Sequence, residues 1–313
     1  MKSALILILL VITDSALTDG DEDDTGTTTP PPTNIPPPPP PSNDKKPRNE
    51  SVIDFFLTNQ KTTKLSYEED NDYWIANFDG TCKTIIIIPG YLTGKLKVFD
   101  DLIDAYMKLD ECYNLIFCHW PSSYDPDYIS AAQSTYDVGD IIGQHILDWF
   151  GKGILQGYIE LIGHGLGAHI AGCAGRTTSV VLPVDVITAL DPVAEFFTDG
   201  YLAFEDFKIT PTDATKVVCL HTSAGSMGTA KECGKYDFFA NNGSKQPGII
   251  FDHNGYYSHM MALAYCIESL SSPAFVAHGP LGFPTTRFGK MAKTSPPGKY
   301  YFKTNTKPPY GRN

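Results

Sequence analysis

The sequence predicts an α/β fold in which a mostly parallel central sheet carries helices on both faces. Three observations lead there. Residues 84–88 read Thr-Ile-Ile-Ile-Ile, continuously apolar and β-branched, as a strand buried on both faces must be. Short apolar runs of this kind alternate along the chain with stretches whose apolar residues recur at helical spacing. A glycine-rich segment, Gly163-His164-Gly165-Leu166-Gly167, joins one such strand to one such helix.

The elements follow in order. A helix is expected over 98–109, then a strand over 115–118. A longer helix is expected over 136–150, because Ile141, Ile142, His145, Ile146 and Trp149 gather on one side. A strand over 158–162 leads into a helix after Leu166. Strands over 186–190 and 217–221 come next, and a helix over 258–270 closes the series. Strands separated by helices imply right-handed crossovers, hence the parallel sheet. No internal repeat is evident.

Composition bounds the rest. The 313 residues are 42% hydrophobic and 19% charged, which supports a sizeable core. The net charge of -12 gives no bulk attraction to nucleic acid or anionic lipid, and no nucleic-acid partner is expected. Residues 1–19 read as a signal peptide: Lys2 precedes an apolar stretch over 4–12 that is too short to span a bilayer. No later stretch is apolar for long enough, so the chain reads as secreted and not transmembrane. Residues 20–50 form an acidic, proline-rich linker, with prolines at 30–32 and 36–41 that disfavour both helix and ladder. Residues 51–313 form the folded domain. Seven cysteines permit disulfides outside the cell and leave at least one unpaired; Cys219 and Cys233 could close a short loop. No Cys/His cluster has zinc spacing, so neither a metal site nor a cofactor is expected. Asn49-Glu50-Ser51 and Asn242-Gly243-Ser244 are glycosylation acceptor triplets.

The chemistry concentrates at the glycine-rich turn. A sharp strand-to-helix turn of the pattern G-x-S-x-G is the nucleophile elbow of α/β-hydrolases, which lifts a serine above the sheet on a strained backbone. Flanking glycines leave room for so tight a turn, and the helix below presents free N–H groups to an oxyanion. Here the central residue is Gly165. A phosphate-binding loop is the competing reading, but the P-loop's spacing and Lys-Ser/Thr are missing and the G-x-G-x-x-G order fails.

From about Val52 to Asn305 the chain resembles the neutral, pancreatic-type lipase family, which includes insect yolk proteins. The resemblance rests on Ile88-Pro89-Gly90-Tyr91, Trp120, Ala189-Leu190-Asp191-Pro192, Leu220-His221-Thr222, the segment Tyr236-Asp237-Phe238-Phe239-Ala240-Asn241, Gln246-Pro247-Gly248, Ser258-His259 and Gly298-Lys299-Tyr300-Tyr301. It implies an α/β-hydrolase fold with Asp191 as triad acid and His259 as general base, in the order nucleophile, acid, base. It also implies an oxyanion hole made by the backbone N–H groups of Tyr91 and Leu166. Several departures accompany the missing serine. Pro89 stands in place of the family's histidine and Met261 in place of its arginine. The lid cysteines are absent, with Ile249 and Tyr257 near their places, and the C-terminal lipid-association domain is expected to be missing because the chain stops soon after Tyr301.

Glycine has no atom able to attack a carbonyl. Neither Ser258 nor Cys173 is expected where an oxyanion hole would point, so a substitute nucleophile is disfavoured. The expected protein is therefore a secreted lipase pseudoenzyme that binds a lipid or hydrophobic small molecule, or serves as a yolk-like storage protein. The alternative is an active extracellular lipase or carboxylic ester hydrolase with a non-standard nucleophile.

Overall fold

The computed structural model describes residues 53–67, 71–121, 127–200, 203–289 and 295–312. These all lie in one compact unit, 49–313. The signal peptide and linker expected over 1–50, and the acceptor triplet at Asn49, lie outside the described residues.

In chain order the elements are β1 (Asp54–Thr58), β2 (Leu65–Ser66), α1 (Asn71–Asn77), β3 (Lys83–Ile88), α2 (Lys97–Met107), β4 (Tyr113–His119), α3 (Tyr128–Gln133), α4 (Thr135–Gly151), β5 (Ile159–His164), α5 (Leu166–Thr178), β6 (Val186–Leu190), β7 (Lys216–His221), β8 (Tyr236–Ala240), α6 (Tyr256–Ser269), β9 (Val276–His278), β10 (Thr285–Arg287) and β11 (Gly298–Phe302). The strands form one sheet of order β10-β9-β11-β8-β7-β6-β5-β3-β4-β1-β2. Its middle, from β11 to β4, is parallel throughout. Antiparallel strands close both margins: β1 pairs with β4, and β9 with β11.

Alternation along the central strands divides the core in two. Ile86, Ile88, Leu161, Ile187 and Val217 face one way and pack with α4 and α5, including Ile142, Ile146, Trp149, Ile170 and Ala171. Ile85, Ile87, Ile162, Val218 and Leu220 face the other and pack with α2 and α6, including Leu102, Ile103, Ala262 and Leu263. Both faces being covered explains why residues 85–88 are apolar without interruption. Disulfides Cys82–Cys112 and Cys219–Cys233 tie β3 to the start of β4 and β7 to the loop before β8. Cys118, Cys173 and Cys266 are free and buried.

The expected helices and strands appear within a few residues of their predicted limits. The marginal strands β1, β2, β9 and β10 carry no comparable signal, and β8 was visible only as part of a family motif. Edge strands are short, or half-buried with broken apolar periodicity, so pairing partners rather than pattern decide them.

Candidate functional site

The strand order places the C-terminal ends of β3, β5 and β6 side by side, where open α/β sheets bind ligands. The β3 end supplies Pro89-Gly90-Tyr91, β5 supplies Gly165, and β6 supplies Asp191. The sequence-predicted residues thus meet at one edge, and α6 brings His259 to them.

Gly165 has φ 59° and ψ -117°, a conformation that side-chain-bearing residues rarely adopt. Its N–H donates to the Leu190 carbonyl at 3.0 Å, fastening the elbow to β6. Leu166 begins the 13-residue helix α5 and is fully buried. Gly167 permits the close approach beneath: a Cβ there would come within 2.2 Å of the Ile88 carbonyl oxygen. A Cβ on Gly165 would instead lie 3.0 Å from His259 Nε2, so the missing side chain points at the imidazole.

His259 Nδ1 hydrogen-bonds Asp191 Oδ2 at 2.7 Å, and both residues are buried. Asp191 also accepts from the backbone N–H groups of Thr222 (2.7 Å) and Ser223 (2.9 Å) at Oδ1, and from the Ser223 hydroxyl at Oδ2. Burial raises its pKa, but the bonds from His259, Ser223 and Thr222 outweigh burial and hold the carboxyl below its ordinary value. Asp191 therefore stays ionised and orients the ring. His221 supports this arrangement from β7, bonding the Thr229 carbonyl and the Asp237 carboxylate at 2.9 Å each.

His164, Thr222 and Ser223 were not singled out from sequence. His164 Nε2 lies 3.2 Å from the His259 carbonyl, so that nitrogen donates, and the two rings are 4.2 Å apart. Burial, reinforced by the neighbouring His259, pushes the His164 pKa down to about 3. It is a neutral spacer between elbow and helix. Its place inside the glycine-rich pattern was the only available signal; Ser223 lay 32 residues from Asp191 with none.

On the β3 side, Trp120 Nε1 donates to the Pro89 carbonyl at 2.9 Å and pins the loop after β3. Tyr91 is half-buried there, its ring edge-on to Tyr128 at 5.1 Å. The two alternative nucleophiles are engaged elsewhere. Ser258 Oγ accepts from the Gln246 N–H at 2.8 Å. Cys173 Sγ contacts the Phe207 carbonyl at 3.5 Å, and burial pushes its thiol up to about 11. Asn242 is exposed in a tight turn at φ 70°, with Oδ1 accepting from Lys303 Nζ at 3.3 Å. No helix among the described residues is long and apolar enough to cross a membrane.

A parallel sheet with a strand–glycine–helix elbow, an acid after the next strand and a histidine on the last long helix is the plan of an α/β-hydrolase. Within that class the chain is a member of the lipase family: the family model described as Lipase matches residues 29–269. Phospholipase A1 member A of Bos taurus is 28% identical over 228 residues, covering 71% of this chain and 48% of that protein. Inactive pancreatic lipase-related protein 1 of Canis lupus familiaris is 30% identical over 222 residues, covering 63% and 46%. The chain spans about half the length of these two relatives. Among solved structures, Est1E of Butyrivibrio proteoclasticus with bound ferulic acid aligns over 55% of this chain and 76% of that one, at 13% identity and a TM-score of 0.35.

Proposed function

We propose that this chain is a secreted, catalytically inactive lipase homologue that holds a hydrophobic ligand where an active lipase would hold its acyl group. The observation that carries this reading is Gly165. It occupies the nucleophile position, with the direction of its absent side chain set 3.0 Å from His259 Nε2. Asp191 takes the place of the triad acid, His259 that of the base, and the N–H groups of Tyr91 and Leu166 that of the oxyanion hole. These parts can bind an acyl group, but without an attacking atom they form no acyl-enzyme. Loss of the serine alone removes about six orders of magnitude of turnover in a serine protease. The engaged Ser258 and Cys173 favour this reading over a hydrolase with a non-standard nucleophile. That the dog relative is itself named inactive is consistent with it.

Secretion rests on the signal-like residues 1–19, and the layout of linker 20–50 and domain 51–313 belongs to the same reading. N-glycans at Asn49 and Asn242 would accompany it, the latter on an exposed turn. The test is direct. Purified protein should neither hydrolyse a short-chain chromogenic ester nor be labelled by a serine-directed phosphonate. Turnover abolished by His259→Ala, or a covalent adduct on any side chain at this site, refutes inactivity.

A further inference from the structure

The geometry points to a more specific ligand, and we propose that the site captures the carboxylate of a free long-chain fatty acid in preference to a fatty ester. This rests on the inactive reading above.

Two independent features converge. The first is the N-terminus of α5, 13 residues long, whose leading amide at Leu166 has no intrahelical acceptor and whose dipole favours an anion. The second is His259. The residue is only 4% exposed and its Nδ1 is committed to Asp191, while its Nε2 has no partner among the described residues and faces the space beside Gly165. A serine hydroxyl there would both fill that space and satisfy Nε2. Glycine leaves an aimed nitrogen of a nearly buried residue beside a helix N-terminus.

A carboxylate answers both groups at once, with one oxygen at the α5 N-terminus and the other accepting from Nε2–H of the protonated ring. The fatty acid enters as the acid and passes its proton to Nε2, or enters ionised while Nε2 takes a proton from solvent; no covalent bond changes. The titratable groups facing the ring are Asp191, just after β6, and His164 at the end of β5. Asp191 Oδ2 lies 2.7 Å from Nδ1, and neutral His164 adds no opposing charge. An ester carbonyl can use the helix end but forms no charge-paired bond with Nε2–H, and such bonds are roughly twice as strong as neutral ones. Val193, whose Cγ1 is 3.7 Å from the Cβ point of Gly165, gives the site an apolar wall.

The experiment titrates delipidated full-length protein with oleate and with methyl oleate, below the concentration at which either aggregates. Oleate should bind at least tenfold more tightly, and in His259→Phe the ratio of the two affinities should shrink to about twofold or less. Gly165→Ala, which sets a methyl 3.0 Å from Nε2, should also lose the preference. Equal affinities, no binding of either ligand, or a preference that survives in His259→Phe would overturn the proposal. The wild-type comparison needs no variant to fold. Release of methanol from methyl oleate would instead overturn the inactive reading, and is measured separately from affinity.

Discussion

Placing a hydroxyl at residue 165 tests whether Asp191, His259 and the elbow can work together as a hydrolase site. In Gly165→Ser the new Cβ lands 3.0 Å from His259 Nε2, so the ring must yield by a few tenths of an ångström, and the hydroxyl can then reach it. The backbone at φ 59° and ψ -117° is strained for any residue with a Cβ. That strain costs about 1–3 kcal/mol, or roughly 2–4 °C of melting temperature per kcal/mol for a domain of this size. Against it stands the catalytic gain. A complete triad is worth about six orders of magnitude over its serine-less form, and one faulty oxyanion donor removes about two to three of them. If Pro89 has misplaced the loop after β3, roughly a thousandfold gain over wild type still remains. The assay is hydrolysis of a short-chain chromogenic ester, with Gly165→Ala as a control that shares the strain and lacks the hydroxyl. A Gly165→Ser protein that melts cooperatively yet matches Gly165→Ala in turnover would refute the claim that Asp191, His259 and the elbow form a usable constellation.

Other consequences follow from the same contacts. Gly167→Ala should abolish folding or cost more than about 3 kcal/mol, since its Cβ meets the Ile88 carbonyl oxygen at 2.2 Å; a near-wild-type urea midpoint would show that the elbow tolerates side chains beneath it. Removing the Cys219–Cys233 bridge by a double alanine substitution should lower stability by about 3 kcal/mol, the entropy of a loop of this length, and an unchanged midpoint would contradict that. His164 and His169 are buried, with pKa values pushed down to about 3 and about 4 by desolvation. In the unfolded chain they titrate near 6.5, so between about 6.5 and 4 the unfolded state binds more protons and stability falls as pH falls. From pH 7.5 to 5.5 the loss should be about 3 kcal/mol, shared between the two, and His164→Gln should show about half of it; urea unfolding at the two pH values decides.

The strand-to-helix elbow and the central strands were legible because local pattern suffices there. A buried parallel strand must be apolar on both faces, and a tight elbow must have glycines where backbones touch. Asp191 and His259 were placed by a family resemblance spread over most of the chain, since neither residue type at its own position carries enough signal. Ser223, His164 and the marginal strands were not found, because their roles depend on partners distant in sequence. Ser223 lies 32 residues from the carboxylate it serves, and His164 reaches across 95 residues to the His259 carbonyl.

By itself the sequence determined that residue 165 carries no side-chain oxygen, because side-chain chemistry is written residue by residue. How Gly165 sits against the residues around it was decided by tertiary structure. Only the sheet order sets the ends of β3, β5 and β6 beside one another, and only the packing of α6 aims His259 Nε2 at the missing side chain. Directions in space arise from contacts between distant segments, which periodicity and composition do not encode.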